Sequence, residues 1–254
     1  MKKKNIIITG ASSGLGELIA KELSKDGHKL FLISRDEKKL KNVIYNCHNT
    51  KIHNFAAIDF QDLKNIELTL KKTSKLFSKI DIIIHVAGGG LGVKNYLPKT
   101  EDYLKVFNLN LFSIFELNRL LVPRLIKRKA GTIINIGSIA SNEAVGALSY
   151  NVAKSSLSSY VRTLSKYLAK YNVCVTGISP GAFIYKQNAM ARLKKNNIKA
   201  YNNFIKKRIP SNRMPNAIEL LPLIKMLCEK DNMMLTGNMI SCDAGEGNFY
   251  KSYY

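Results

Sequence analysis

Tyr150 and Lys154 stand four positions apart in Ser149-Tyr-Asn-Val-Ala-Lys154, a spacing that puts both side chains on one face of a helix, one turn apart. A phenol keeps its proton at neutral pH, with an ordinary pKa of about 10, and a neighbouring ammonium favours the phenolate. Ser138 closes an apolar run, Thr132-Ile-Ile-Asn-Ile136, that reads as a strand. A serine hydroxyl beside the phenol would hydrogen-bond the same substrate oxygen. Together the three groups suit moving a proton on and off a carbonyl or alcohol oxygen while hydride moves at its carbon. Tyrosine-lysine pairs at this spacing are also common on ordinary helices, as a half-buried ring beside a solvated ammonium. The elements around the pair must decide.

Asn5-Ile-Ile-Ile-Thr9 is a short apolar run of the kind found in central parallel strands, and Thr9-Gly-Ala-Ser-Ser-Gly-Leu-Gly16 follows it directly. An amphipathic helix runs on from about Gly14 to Asp26. Glycines 10, 14 and 16 between strand and helix let backbone approach a phosphate at the helix N-terminus. A second strand, Lys29 to Ser34, ends at Ser34-Arg35, where an acid would hold the 2′-hydroxyl of NAD and an arginine suits the 2′-phosphate of NADP. NADP(H) is therefore the expected cofactor, with NAD(H) the alternative. Further strands are expected at Ile52–Ile58, ending at Asp59, and at Ile80–Val86, ending in Ala87-Gly-Gly-Gly90. His85 is read as a satisfied core histidine. A long helical pattern from about Glu101 to Lys129 contains Asn108 and Asn110 in apolar surroundings, so Asn110 is expected to hold a kink, a water or a neighbouring lysine. After a helix from Ser149 to about Tyr171, the strand Val173–Ile178 should run into Ser179-Pro-Gly181 as a rigid turn. A helix from Ala217 to Lys230 and a last strand, Gly237–Cys242, complete the alternation. The expected fold is α/β, one doubly wound Rossmann-type domain over residues 1–254 with a central parallel sheet of about seven strands.

The glycine loop, Asp59, Ala87-Gly88, Asn110, Ser138, Tyr150-Asn-Val-Ala-Lys154 and Pro180-Gly181, in that order over the whole chain, resemble the short-chain dehydrogenase/reductase family. The resemblance implies an oxidoreductase with Tyr150 as general acid/base and Ser138 orienting the substrate oxygen. It makes Lys154 the residue that lowers the tyrosine pKa and binds the nicotinamide ribose, and Asn110 the holder of a water linking Lys154 to solvent. It also places Gly10, Ser12, Ser13, Gly14, Leu15, Gly16, Ser34, Arg35, Asp59, Phe60, Ala87, Gly88, Pro180, Gly181 and Phe183 along the dinucleotide, together with Tyr150 and Lys154. Homo-oligomers built on helices 101–129 and 149–171 are implied as well. Two positions depart from the family pattern: His85 replaces an asparagine that braces the sheet, and Tyr185 replaces a threonine that contacts the carboxamide. Gly88–Gly90, Pro180–Phe183 and Asn188-Ala-Met190 also resemble a bacterial subgroup tied to flagellin modification and surface-polysaccharide sugars.

The formal charge is +22, from 40 Lys and Arg against 18 Asp and Glu. Between Ala182 and Ile218 there is no acid, whereas Lys186, Arg192, Lys194, Lys195, Lys199, Lys206, Lys207, Arg208 and Arg213 fall there. Residues 182–215 are where this fold builds a substrate lid, and a cationic lid suits an anionic substrate such as a nucleotide sugar. A 3-oxoacyl thioester is the competing substrate, and a cofactor-holding redox sensor without turnover is the competing class of protein. The remaining lysine runs lie on separate elements without interleaved aromatics, which disfavours a nucleic-acid groove. Cys47, Cys174, Cys228 and Cys242 make no paired motif, and the four histidines no metal-ligand spacing. No apolar run reaches the ~20 residues of a membrane span, and Ile6–Ile8 is too short for a signal-peptide core. The expected location is cytoplasmic. The aromatic tail Phe249–Tyr254 is expected either to frame the site or to pack on a neighbouring subunit.

Overall fold

A computed structural model describes residues 2–77, 79–229 and 232–248, so the aromatic tail lies outside the described residues. Strands β1 (Asn5–Thr9), β2 (Lys29–Ser34), β3 (Asn54–Ala57), β4 (Ile82–His85), β5 (Gly131–Ile136), β6 (Val173–Pro180) and β7 (Met239–Cys242) form one sheet in the order β3-β2-β1-β4-β5-β6-β7. Every pairing is parallel. The chain winds outward in one direction through β2 and β3, then returns to place β4 on the other side of β1. That reversal opens a crevice at the carboxyl ends of β1 and β4, where doubly wound folds bind ligands.

Alternating side chains divide the interior into two layers. Ile6 and Ile8 of β1 pack with Ile19 and Leu23 of α1 (Gly14–Lys25) and with Ile224 of α9 (Leu221–Leu227). Ile7 points the other way, into a core with Leu117 and Leu121 of α5 (Ser113–Arg128) and Leu157 and Val161 of α6 (Leu148–Leu168). Burial on both faces is what the unbroken apolar runs of β1 and β4 require. Between β2 and β4 the chain forms α2 (Glu37–Tyr45) and α3 (Leu63–Thr73).

Three expectations need correction. The helix expected from Glu101 to Lys129 is α4 (Thr100–Phe107) and α5 joined by a π turn, Asn108–Phe112. Strand β6 continues through Pro180 instead of turning at Ser179, because β7 pairs with it as far as Pro180↔Cys242 while β5 has ended at Ile136↔Ile178. Gly177 and Gly181 donate toward the β7 side, so the missing N–H of Pro180 falls on the side that β5 has left, and no ladder bond is lost. The helix expected from Ala217 starts as a 3-10 turn before α9; the stretch 182–215, read as irregular or helical, carries α7 (Ala189–Asn196) and α8 (Ile198–Arg208).

Candidate active site

The glycine loop closes on itself before it opens to the crevice. A Cβ on Gly10 would stand 2.8 Å from Ala87 Cα, and one on Gly16 would stand 2.3 Å from the Gly10 carbonyl oxygen. Both glycines therefore permit backbone-to-backbone contact. Gly14 differs: its φ is +58° and a Cβ there would meet nothing within 4 Å, so it lies beside open space at the first turn of α1. That space at a helix N-terminus fits a phosphate group. Thr9, which sequence reasoning passed over, ties the two crevice strands together: its hydroxyl accepts the Val86 and Ala87 N–H groups at 3.0 and 3.1 Å.

Ser12 and Ser34 share a hydrogen bond of 2.8 Å, which joins the loop to the end of β2. Arg35 is exposed beside them. The nearest acid, Asp36, is the N-cap of α2 and accepts the Lys39 N–H at 3.0 Å. Asp59 is exposed past β3, where it accepts the Gln61 N–H at 2.9 Å. The Phe60 ring is buried in the core with Ile58 and Ile66, so only its backbone is left to face a ligand.

Asn110 is fully buried in the π turn. Its Nδ2 donates to the Gly89 carbonyl at 2.9 Å and the Val106 carbonyl at 2.7 Å, and its Oδ1 accepts the Gly89 N–H at 3.0 Å. The widened turn swings this amide onto the glycine stretch after β4, the kind of service π turns often give at functional sites. A Cβ on Gly88 would stand 2.9 Å from Asn110 Oδ1 and 3.2 Å from Lys154 Nζ. Gly88 is thus the seam between the two.

Lys154 is 3% exposed, and Nζ donates to the Ile136 carbonyl at 2.9 Å. Desolvation brings its pKa down to about 8. The ammonium lies 5.6 Å from the centre of the half-buried Tyr150 ring. Burial holds the Tyr150 pKa above its ordinary value, and the nearby Ser138 hydroxyl offsets only part of that rise. Ser138 caps the turn after β5, accepting the Ala140 N–H at 3.1 Å. The structure therefore brings Asn110, Ser138, Tyr150 and Lys154 together beside Gly88 at the ends of β4 and β5.

His85, the last residue of β4, is buried as expected but only half satisfied, because its Nδ1 finds no hydrogen-bond partner among the described residues. Its Nε2 pairs with Asn118 Oδ1 at 3.0 Å, and Asn118 Nδ2 donates to the Tyr160 hydroxyl at 3.1 Å. Burial lowers its pKa to about 4, so it is neutral and braces β4 against α5 and α6.

Past β6, Phe183 and Tyr185 pack against the α1 side of the core. Glu246, 5% exposed, accepts the Ala182 N–H at 2.5 Å and pairs with Arg208 at 3.1 Å. It fixes both ends of the stretch that carries α7 and α8. A cavity of about 500 Å³ lies at the opposite end of the sheet, lined by Lys4, Asp26, Asp81, Arg128 and Lys225 among others. Arg128 and Lys225 pair with Asp81 and Asp26 there, at an end where α1, α5 and α9 terminate and cations complement the helix dipoles.

The short chain dehydrogenase family profile matches residues 4–196, and the chain belongs to that family. A 3-oxoacyl-[acyl-carrier-protein] reductase of Buchnera aphidicola is 30% identical over 245 residues, 96% of this chain and 97% of that protein. An uncharacterized oxidoreductase of Staphylococcus epidermidis is 34% identical over 182 residues, 71% of this chain and 78% of the relative. Among solved structures, L-sorbose reductase from Gluconobacter frateurii, complexed with NADPH and L-sorbose, superposes with a TM-score of 0.87 at 24% identity, covering 99% of this chain and 98% of that one. The RhlG/NADP active-site complex of Pseudomonas aeruginosa gives a TM-score of 0.85 at 26% identity over 95% of each chain. The protein is an NAD(P)-dependent oxidoreductase.

Proposed function

We propose that this enzyme interconverts a ketone and a secondary alcohol using NADP(H), with Tyr150 as the acid/base. The observation that carries the reading is the buried Lys154 ammonium beside the Tyr150 ring, with the Ser138 hydroxyl close to the same phenol. The open face of Gly14 and the N-terminus of α1 fit the pyrophosphate of a dinucleotide, with Ser12, Ser34, Arg35, Asp59, Ala87, Gly88 and Pro180–Phe183 along the rest of it. When bound, the nicotinamide supplies or accepts the hydride at the carbonyl carbon. In reduction Tyr150 gives its phenolic proton to the substrate oxygen, Ser138 hydrogen-bonds that oxygen, and the Lys154 charge favours the phenolate left behind. In oxidation Tyr150 takes the alcohol proton. Both donors of Asn110 are committed to backbone carbonyls, so its part is to hold Gly89 and the π turn in place. The water-holding role would use its remaining lone pair or its main chain.

NADP(H) is favoured over NAD(H) because Arg35 is exposed at the end of β2 without an ion-pair partner among the described residues, and Asp36 is occupied as a helix cap. For substrate, a sugar or nucleotide sugar suits the basic stretch 182–215 and the subgroup resemblance. A 3-oxoacyl thioester is the second reading, favoured by the 30% identical relative of that activity. Leu104, Leu148, Val152 and Tyr167 are exposed on α4 and α6, which supports a homo-oligomer joined through those helices.

Fluorescence titration with NADPH and NADH tests the cofactor reading. NADPH should bind more tightly, and Arg35→Asp should remove that preference. Tyr150→Phe should keep NADPH binding while lowering turnover on any accepted carbonyl by about 10²- to 10⁴-fold. Equal binding of the two dinucleotides by the unsubstituted protein would overturn the NADP assignment, and an active Tyr150→Phe would overturn the acid/base.

A further inference from the structure

Lys186 has a backbone φ of +38°, a left-handed conformation that a lysine adopts only when its surroundings hold it there. Its Nζ lies 2.5 Å from Glu17 Oε1, across 169 positions of sequence. The same ammonium lies 5.3 Å from the centre of the Tyr185 ring, at the position where the family pattern has a threonine. Ile184, two residues earlier, is bridged to Asn216, so the chain is anchored just before the strained residue.

Glu17 is no ordinary surface partner. It lies in the first turn of α1, is 8% exposed, and also pairs with Lys21 at 2.7 Å. Its own N–H donates to the Ser13 carbonyl, so the carboxylate sits one turn below the N-terminus formed by Ser13 and Gly14. Burial alone would raise its pKa, yet the two ammonium groups bring it below the usual carboxylate value. It is charged at neutral pH and needs its cations. A carboxylate this close to a phosphate site would repel a pyrophosphate unless a cation stood between them. Lys186 is the cation that can do so, because it reaches α1 from the stretch that follows β6 and its side chain is 46% exposed.

We propose that Lys186 is a further dinucleotide-binding residue, parked on Glu17 one helical turn from the phosphate site and shared with the pyrophosphate when the dinucleotide binds. The inference rests on the proposed reading of the crevice as a dinucleotide site. It gives this chain a charged substitute for the missing threonine and ties the position of the covering stretch to the cofactor's charge. The contact is to the pyrophosphate, so it serves NADPH and NADH alike, in contrast to Arg35.

The test measures NADPH and NADH dissociation constants by fluorescence at two salt concentrations, for the unsubstituted protein, Lys186→Met, Lys186→Arg and Glu17→Gln. Loss of one charge-assisted contact should weaken both dinucleotides by about tenfold in Lys186→Met at low salt, with less loss at high salt. Lys186→Arg should restore binding to within about threefold, which a folding defect would not allow, and Glu17→Gln should tighten both. Binding unchanged in Lys186→Met would overturn this inference alone, as would a loss confined to NADPH, which would place the lysine at the 2′-phosphate. Failure of the unsubstituted protein to bind either dinucleotide would overturn the crevice reading and this inference with it.

Discussion

Lys154 donates to the Ile136 carbonyl and is almost wholly buried, so its charge is held in place against a desolvation cost. Its pKa of about 8 lies below the ordinary lysine value of 10.5. Between those two values the unfolded chain binds more protons than the folded one, so stability rises with pH through that window. Lys154→Met should therefore abolish turnover yet stabilise the fold at pH 7, by up to about 3 kcal/mol, with the gain shrinking as pH rises from 8 toward 10.5. Urea midpoints of the two proteins at pH 7 and pH 9.5 check this. A less stable variant at pH 7 would mean that the Ile136 hydrogen bond outweighs the buried charge. The grouping of Ser138, Tyr150 and Lys154 was legible in sequence because their spacing is local to one helix and one strand end. Lys186 and Glu17 were not, since nothing in either neighbourhood signals a contact made across the crevice. Phe60 was legible by position only: it follows Asp59 as expected, but core packing takes its ring and leaves its backbone for any ligand contact.

At the level of elements, the strands, the glycine loop and the crevice followed from apolar runs and glycine positions. The π turn was legible only as a kink among three roles open to Asn110, because its signal is a single buried asparagine whose side chain replaces regular helical bonding. The end of β6 was hidden for a related reason: its length is set by pairing with β7, which tertiary structure alone supplies. The lid was legible as a basic, irregular or helical stretch, without the bounds of its two helices. α7 has no buried residue and α8 buries only Tyr201, so apolar periodicity had little to work on. Such shallow packing, held at both ends by Glu246, leaves the middle of the stretch at the low-stability end of the fold. Changing Lys194, Lys195, Lys206 and Lys207 to glutamine should raise KM for the true substrate about three- to tenfold at low salt, with little change at high salt. Steady-state kinetics at two ionic strengths measure it, and an unchanged KM would sink the anionic-substrate reading.

Across the whole molecule, three of the four histidines, His28, His53 and His85, are buried, and desolvation lowers the pKa of each. For a base whose folded pKa is depressed, the unfolded state binds more protons below its ordinary value of 6.5, so stability falls as pH drops from there. His85, at about 4 when folded, accounts for about 2 kcal/mol of that fall at pH 5. His85→Asn should flatten the decline between pH 7 and pH 5 in chemical denaturation, whereas parallel curves would show that His85 takes no part in it. The two outer strands, β3 and β7, are four residues each. A strand that short offers another copy too little unpaired backbone to template on, and a formal charge of +22 sets copies against one another. The sheet is thereby guarded against growth into fibrils at both of its margins, even though β1 and β4 at its centre each carry three consecutive isoleucines.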